Sequence, residues 1–550
     1  MKKYVSWIWR NTAGIRLNMV LRIVLGLGRV FLGLFMVWLC KRFIDVTIRT
    51  GTTEEIVLMI ALLIGVILTS VFCRQTYYFL GEKAWALQST GIRLRIFSHL
   101  FHRQMFDQKE LHSGDVTSRL EKDIDKVSDA TTSLIPDVTV TGCQLVGAFL
   151  LMQSMDARLA WFLLVLTPVF LLAGKTIARK MREMSLAIRK QESVIQMMVQ
   201  ETMEHNAVLR SLESGEWVTG RLDDMQQDLR GKIKHRARFT VVSRLVISTG
   251  FSLGYICAFI WGAMQLRSGL ITFGVMTSFL QLVGQIQQPI LQLVNMVPQM
   301  VQAAASVDRL EELEQLDAED VRDDRLPMMP GKLGLSIQDI SFSYALGDRQ
   351  ILSHFSHNFR PGSKTALMGH TGAGKTTLFR LLLALVKPSS GTITIYNGQE
   401  KQYVSERSRS NFVFVPQGNT LMSGTIRYNL QLAKPDATDE EMRQVLHTAM
   451  ADFVLELPEG MNTECGERGS GLSEGQAQRI AIARGLLRPG GMLLLDEISS
   501  SLDEQTEREL YRRLFEAYPG KTMIFITHRP VVCELCDEVL RLDSEPSIRS

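Results

Sequence analysis

Residues 369–376 read Gly-His-Thr-Gly-Ala-Gly-Lys-Thr, which fits the spacing G-x-x-x-x-G-K-[ST]. A short apolar TALM stretch precedes the run and TTLFRLLLALV follows it, so the motif joins a strand to a helix. Gly369, Gly372 and Gly374 let backbone N–H groups converge on phosphate oxygens with no Cβ in the way. The helix N-terminus adds partial positive charge. Lys375 is placed to reach the β- and γ-phosphates of a nucleotide, and the Thr376 hydroxyl to bind Mg²⁺. His370, Thr371, Ala373 and Thr377 complete the expected phosphate cradle.

A second acidic signal lies downstream. GMLLLDE is an apolar strand ending in Asp496 and Glu497. Asp496 suits a metal-holding role, direct or through water, and Glu497 is placed to polarise an attacking water. Two carboxylates at a strand end also occur as plain turn solvation; the phosphate loop upstream favours the chemical reading.

These residues need a sheet to hold them. Short apolar strands are expected at about 333–344, 365–369, 392–396, 412–416, 491–495 and 522–527, with helical segments between. An acidic, proline-bearing stretch, AAASVDRLEELEQLDAEDVRDDRLPMMPGK, precedes them as a linker. The expected division is 1–310, a linker at 311–332, and an α/β domain at 333–550.

The first half is different. The chain has 550 residues, 46% of them hydrophobic, and a mean hydropathy of +0.07. Six apolar segments fall at about 17–40, 56–80, 132–154, 158–178, 240–265 and 275–297, each near the ~20 residues that span a bilayer. Those at 132–154 and 275–297 carry the most polar residues. Long Lys- and Arg-rich segments follow the second and fourth spans, and the loops MQSMDAR and MQLRSGLITFG are short. This charge bias puts both termini and both long loops inside. Lys41, Arg42 and Arg49 run against it at the outer end of the first span. The long loops have helical spacing, with apolar residues recurring along ARKMREMSLAIRKQESVIQMMVQETMEHNAVLR, so they read as membrane helices continuing into the cytoplasm. A net charge of +4 gives no global field for nucleic acid. MKKYVSWIWRNTAGIR is basic and amphipathic, with no cleavable signal peptide expected. The seven cysteines are scattered. Cys533 and Cys536 form a lone CxxC, which reads as two small apolar residues on a late helix rather than a metal site.

Six spans suit a channel, a secondary transporter or a pump; the motifs between the two chemical sites decide. Leu472–Gln476, LSEGQ, resembles LSGGQ, the signature of the ATP-binding cassette (ABC) transporters. FSY, FVPQ, SSLD and FITH occur in the family's order. The resemblance implies that Tyr344 stacks on adenine, that Gln417 senses Mg²⁺ and the transmembrane part, and that Ser500–Asp503 form a dimer-facing loop. It implies that His528 lies near the γ-phosphate, with Glu497, His528 and Gln417 forming the catalytic set and Thr376, Gln417 and Asp496 the Mg²⁺ set. TECGERG at 463–469 resembles the loop with which exporters meet their stalk helices, and SGDVTSRLEKDIDKV the turn carrying a coupling helix. Six spans ahead of one cassette is the family's exporter-type half-transporter layout, so the resemblance covers essentially the whole chain.

That layout implies a homodimer or a heterodimer with a second half-transporter, in the inner (cytoplasmic) membrane among lipid. Ser473, Gly475 and Gln476 of one chain would close over the ATP held by the other. The implied function is ATP-hydrolysing export of an amphipathic small molecule, lipid or peptide by alternating access. A lipid-linked substrate flippase, a siderophore importer and an ATP-gated channel or regulatory subunit are the alternatives. An N-terminal peptidase domain is not expected, because the first span starts near residue 17. Glu474 departs from the family's usual glycine and is expected to face away from the nucleotide. For the cargo, Arg22 and Arg29 lie seven apart on the first span. An arginine at a helix centre costs at least ~2.5 kcal/mol in a bilayer, so Arg29 must face protein, water or a polar ligand, with Asp137 a candidate partner. Gln281, Gln285, Gln288 and Asn295 follow helical spacing on the sixth span, and suit either a cavity lining or contacts between helices.

Overall fold

The structure is a computed structural model that describes residues 2–101, 113–316, 326–344, 350–370, 372–466 and 471–542. Thr371, part of the TECGERG loop, part of the linker and the side chains of 162–178 lie outside the described residues. The chain divides into two compact units, one of residues 1–97 and 114–313, the other of 98–113 and 314–550.

The first unit is helical. Arg16–Thr50, Thr53–Phe101, Gly114–Met155, Gly215–Arg267 and Phe273–Glu314 are each long and apolar enough to cross a membrane. The Ala157–Glu204 helix, 48 residues long, carries the fourth expected segment. At 1.5 Å per residue such helices run to about 70 Å, over twice the ~30 Å hydrocarbon layer. The stalk-like continuation expected from helical spacing is therefore present. Large apolar side chains along them, including Leu58, Phe72, Phe79 and Leu245, are exposed, as helices facing lipid require. Val37, Ala148, Met152, Phe279, Leu282 and Ile286 form the buried seam.

Polar residues fix the helix ends. The Asp156 carboxylate caps the Ala157–Glu204 helix by accepting from Arg158 N (2.9 Å) and Leu159 N (3.3 Å), and it also accepts from Trp261 Nε1 (3.0 Å). Asp45 accepts from Thr272 Oγ1 (2.5 Å) and Gly274 N (2.8 Å), satisfying donors at the start of the Phe273–Glu314 helix. At the other end of that helix, Arg309 Nε donates to Asp123 (2.7 Å) and Ser306 Oγ to the same carboxylate (2.9 Å). Lys3 reaches Asp308 (3.0 Å) and Glu311 (2.8 Å), which ties down the amphipathic Lys2–Asn11 helix.

The second unit is α/β. One antiparallel sheet contains β1 (Gly334–Ser343), β2 (Gln350–Phe359), β4 (Ser390–Tyr396) and β5 (Lys401–Tyr403), in the order β2-β1-β4-β5. The other sheet contains β3 (Lys364–Met368), β6 (Phe412–Val415), β9 (Met492–Asp496), β10 (Thr522–Ile526) and β11 (Glu538–Arg541). Its order is β11-β3-β10-β9-β6 and every pairing is parallel. β7 (Gly424–Thr425) and β8 (Glu464–Cys465) form a separate two-stranded pair. β9 and β10 are buried at every residue. A parallel sheet covered on both faces demands this, and it is why both read as unbroken apolar runs. All six strands expected from the sequence form. The sequence does not announce β2, β5, β7, β8 and β11: β2 carries two histidines among its apolar residues, β5 and β11 are short, charged edge strands, and β7 and β8 have two residues each.

Candidate functional site

The parallel sheet delivers four loops to one edge. β3 ends at the glycine loop, β6 just before Gln417, β9 at Asp496 and β10 two residues before His528. Loops beyond the carboxyl ends of parallel strands are where such sheets bind ligands.

Two of the three loop glycines, Gly369 and Gly374, are closely packed, whereas a Cβ at Gly372 would meet nothing within 4 Å. A Cβ at Gly369 would lie 2.6 Å from the Leu542 carbonyl oxygen. Gly374 begins the Lys375–Leu382 helix at φ +93°, a left-handed conformation natural to glycine. Its Cβ would lie 3.0 Å from Ile351 Cγ2. Ala373 and Thr377 are buried, and His370 is exposed at the mouth. Lys375 is only 7% exposed. Its Nζ donates to the carbonyls of Gly369 (2.5 Å) and His370 (3.3 Å) and meets His528 Nε2 at 3.0 Å. The ammonium thus bridges the loop and the end of β10. Burial lowers the Lys375 pKa, against the opposing pull of Glu497 and Asp496.

Thr376 Oγ1 lies 3.4 Å from Asp496 Oδ2. Asp496 is 3% exposed, and burial, then the charge of Glu497, pushes its carboxyl up to about 6. Glu497 adopts φ +46°, and its N–H donates to the Ile526 carbonyl (3.0 Å). A left-handed backbone at a non-glycine residue costs on the order of 1 kcal/mol and occurs where a side chain must be aimed. Here the carboxylate is aimed at Gln417, whose Nε2 donates to Oε2 (2.7 Å), and at His528, 3.5 Å from Oε1. Lys375, Thr376, Gln417, Asp496, Glu497 and His528 therefore form one connected group.

Tyr344 follows β1. Its hydroxyl accepts from Arg380 Nη1 (2.8 Å) and lies 3.3 Å from Thr377 Oγ1, and its ring stands edge-on to Phe342. The phenol is thus held beside the helix that follows the glycine loop.

The signature residues stand apart. Ser473 caps the Glu474–Leu487 helix in a reciprocal box with Gln476: Gln476 N donates to Ser473 Oγ (3.2 Å), and Ser473 N to Gln476 Oε1 (2.9 Å). Among the described residues, no hydrogen bond joins Ser473, Gly475 or Gln476 to Lys375, Thr376, Asp496 or Glu497. Glu474 is exposed on the first turn of this helix.

Three contributors were not singled out in the sequence. Arg380 anchors Tyr344. Gln478, one turn into the signature helix, donates to the Glu497 carbonyl (3.0 Å). Arg529, next to His528, donates to the carbonyls of Ser500 and Leu502 (both 2.9 Å) and to buried Glu507 (3.2 Å). Only adjacency to recognised motifs could have flagged them, since each acts through a partner far away in sequence.

In the helical unit, Asp137 pairs with Arg22 rather than Arg29. Arg22 Nη2 lies 3.7 Å from Asp137, its Nη1 donates to Thr132 O and Ser133 Oγ, and Tyr77 donates its hydroxyl to Asp137. Arg29 and Gln285 line a cavity, while Gln281, Gln288 and Asn295 lie on exposed parts of their helix. Cys533 packs its sulfur against Met368, and burial pushes the Cys536 thiol up to about 12.

Comparison with known proteins agrees with this arrangement. Residues 19–290 match the family described as ABC transporter transmembrane region, and 352–500 match the family described as ABC transporter. A Rickettsia bellii protein, provisionally named an export ATP-binding/permease protein, is 28% identical over 507 residues, 90% of this chain and 86% of its own length. The ATP-dependent lipid A-core flippase of Vibrio cholerae is 27% identical over 82% of this chain and 78% of its own. A solved bacterial Atm1-family ABC exporter with ATP bound has the same fold, with a TM-score of 0.80, 20% identity, and coverage of 97% of this chain and 94% of its own.

Proposed function

Because this chain belongs to the ABC transporters and has the exporter-type layout, we propose that it is one half of a dimeric pump. The pump moves an amphipathic small molecule, lipid or peptide out across the cytoplasmic membrane. The ATPase domain and its glycine loop lie on the cytoplasmic side. The transmembrane domain is assigned to 1–310, the linker to 311–332 and the nucleotide-binding domain to 333–550. The partner is a second copy or a related half-transporter.

The observation that carries the reading is the convergence of Lys375, Thr376, Gln417, Asp496, Glu497 and His528 on one sheet edge. The oxygens of Thr376 and buried Asp496, with the Gln417 side chain beside Glu497, fit a hard divalent cation. Thr376 and Asp496 would hold Mg²⁺ there, where it would neutralise charge on the phosphate oxygens. Lys375 exchanges its loop carbonyls for β- and γ-phosphate oxygens, and the loop N–H groups hold the phosphate chain. Tyr344 supports the adenine. Glu497 takes the proton of the attacking water, Gln417 fixes its carboxylate, and His528 orients the γ-phosphate. A partner's signature serine and glycine amide close the site, consistent with Ser473 and Gly475 standing apart from Lys375 here. Closure of the two cassettes pulls the stalk helices and turns the cavity outward; hydrolysis resets it.

The likeness to a lipid A-core flippase supports a second reading in which the cargo is a lipid moved between leaflets. Purified protein in proteoliposomes tests both. ATP-dependent accumulation of a soluble amphiphile supports export, and leaflet transfer of a labelled lipid supports the flippase. Wild-type protein that binds ATP but neither hydrolyses it in lipid nor moves any cargo overturns both.

A further inference from the structure

Four helices of the membrane unit line a half-open cavity of about 350 Å³, bordered by Arg29, Ser70, Arg74, Gln144 and Gln285, with Arg74 exposed at its wall. Ser70 and Arg74 lie one turn apart on the Thr53–Phe101 helix, as do Arg29 and Gly33 on the Arg16–Arg42 helix, so each pair shares a face. A Cβ at Gly33 would meet nothing within 4 Å, which leaves the space beside Arg29 open. Arg29, Gln144 and Gln285 fall near the middle of their spans, and Arg74 about 9 Å from the end of its own at 1.5 Å per residue.

The charges in this region do not balance. Asp137 is the single carboxylate within the six apolar segments. Arg22 pairs with it, and Tyr77 donates to it. Arg29 has the Tyr77 ring face at 5.5 Å and, like Arg74, no carboxylate partner among the described residues. Two permanently charged guanidiniums thus share a cavity at membrane depth, with a hydroxyl and two amides beside them. Intramembrane cations face a counter-charge or a polar pathway, and guanidinium pairs oxyanions bidentately.

We propose that this cavity is the head-group subsite for the cargo, and that it takes a phosphate monoester, whose two negative charges match Arg29 and Arg74. Gln144, Gln285 and Ser70 supply hydrogen bonds to its remaining oxygens, while Val30 and Val71 meet the first carbons of the ester. The proposal rests on the exporter reading above and names its substrate class. The phosphate can belong to a lipid or to a soluble ester; the binding site is the same for both.

The test uses full-length protein in nanodiscs of zwitterionic lipid. Binding of dioctanoyl phosphatidate, glycerol 3-phosphate and dioctanoylglycerol is followed by tryptophan fluorescence. Saturable binding of either phosphate ester, with dioctanoylglycerol at least about tenfold weaker, is the expected result. Phosphatidate alone identifies a lipid cargo, and glycerol 3-phosphate at equal affinity a soluble one. The R29Q/R74Q double variant should weaken phosphate-ester binding about 100-fold, and R29K/R74K should restore part of it. Binding of a fluorescent ATP analogue shows that each variant is folded. Equal binding of dioctanoylglycerol and phosphatidate, or unchanged affinity in folded R29Q/R74Q, overturns the subsite. If wild-type protein hydrolyses ATP while the subsite test fails, the exporter reading stands without it.

Discussion

Gln417 Nε2 donates to Glu497 Oε2 across 2.7 Å, so a residue following β6 holds the carboxylate that follows β9. The backbone of Glu497 is left-handed at φ +46°, which turns this side chain outward from the strand end. With the carboxylate fixed there, Glu497→Gln keeps the shape and removes the proposed base. Steady-state ATPase activity should fall about 10²–10⁴-fold, the usual contribution of a positioned general base. Equilibrium ATP binding should stay within about twofold. Phosphate release and nucleotide binding measured on the same preparation check this, and wild-type turnover in the variant would refute the assignment. Gln417→Ala should lower kcat more than it changes KM.

Asp496 titrates near 6, raised by burial and by Glu497. In its proposed Mg²⁺-binding role, the proton it holds below pH 6 must be displaced by the cation, so apparent Mg²⁺ affinity should fall ~10-fold per pH unit there and level off above pH 7. The sign for stability is opposite. The folded state binds this proton more tightly than the unfolded chain, whose carboxyl titrates at the ordinary 3.8. This group's contribution to metal-free stability is therefore complete below about pH 3.8 and is lost as pH rises through about 6. Mg²⁺ titrations from pH 5 to 8 in wild type and Asp496→Asn check the first point; the variant should bind weakly at every pH.

Arg529 ties the loop after β10 to the one after β9. It donates to the carbonyls of Ser500 and Leu502 and to Glu507, whose side chain is 1% exposed. Glu507 also accepts from Ser499 Oγ (2.5 Å), which in turn accepts from Tyr511 (3.1 Å). Arg529→Ala leaves a buried carboxylate without its cation, at a cost of about 3–5 kcal/mol. The thermal midpoint of the full-length protein should fall by roughly 6–15 °C for a unit of this size. Replacing both residues, as in R529M/E507L, should recover most of that loss. A double variant no better than Arg529→Ala would show that the pair is not the cause.

The glycine loop, β9 and β10 were legible because each is continuous in sequence: an apolar run ending in a polar group. Arg529–Glu507 and Gln478–Glu497 were not, because each joins residues whose contact depends on the folded register of two elements. β2 was missed because an edge strand of the antiparallel sheet needs only part of its residues apolar, and its histidines broke the pattern. The pairing of Arg22 rather than Arg29 with Asp137 depends on where three helices approach, and spacing along one helix says nothing about that.

Tyr344 offers a separate test of the adenine assignment. Its ring is edge-on to Phe342 and its hydroxyl is held by Arg380. Tyr344→Phe keeps the stacking face, so ATP affinity should change by no more than about twofold, whereas Tyr344→Ala should weaken it ~10-fold, in line with aromatic stacking of about 1–3 kcal/mol. Equal losses in both variants would move the role from the ring to the hydroxyl.

Glu474 stands where the family most often has glycine, and its carboxylate sits exposed at the positive end of the Glu474–Leu487 helix. An acidic side chain there stabilises the helix by about 0.3–1 kcal/mol, and glycine in the first turn loses that. The Ser473–Gln476 box fixes the turn independently of residue 474, because it uses only the side chains and N–H groups of those two residues. Glu474→Gly should therefore lower the thermal midpoint by a few degrees and leave ATPase turnover within about twofold. Ser473→Ala removes the cap and the hydroxyl expected to meet the partner's ATP. It should lower turnover far more than Glu474→Gly while costing the helix about 1 kcal/mol. Side-by-side ATPase and thermal-shift measurements separate the two residues. A large gain in turnover in Glu474→Gly would instead mean that the glutamate faces the nucleotide in the closed dimer.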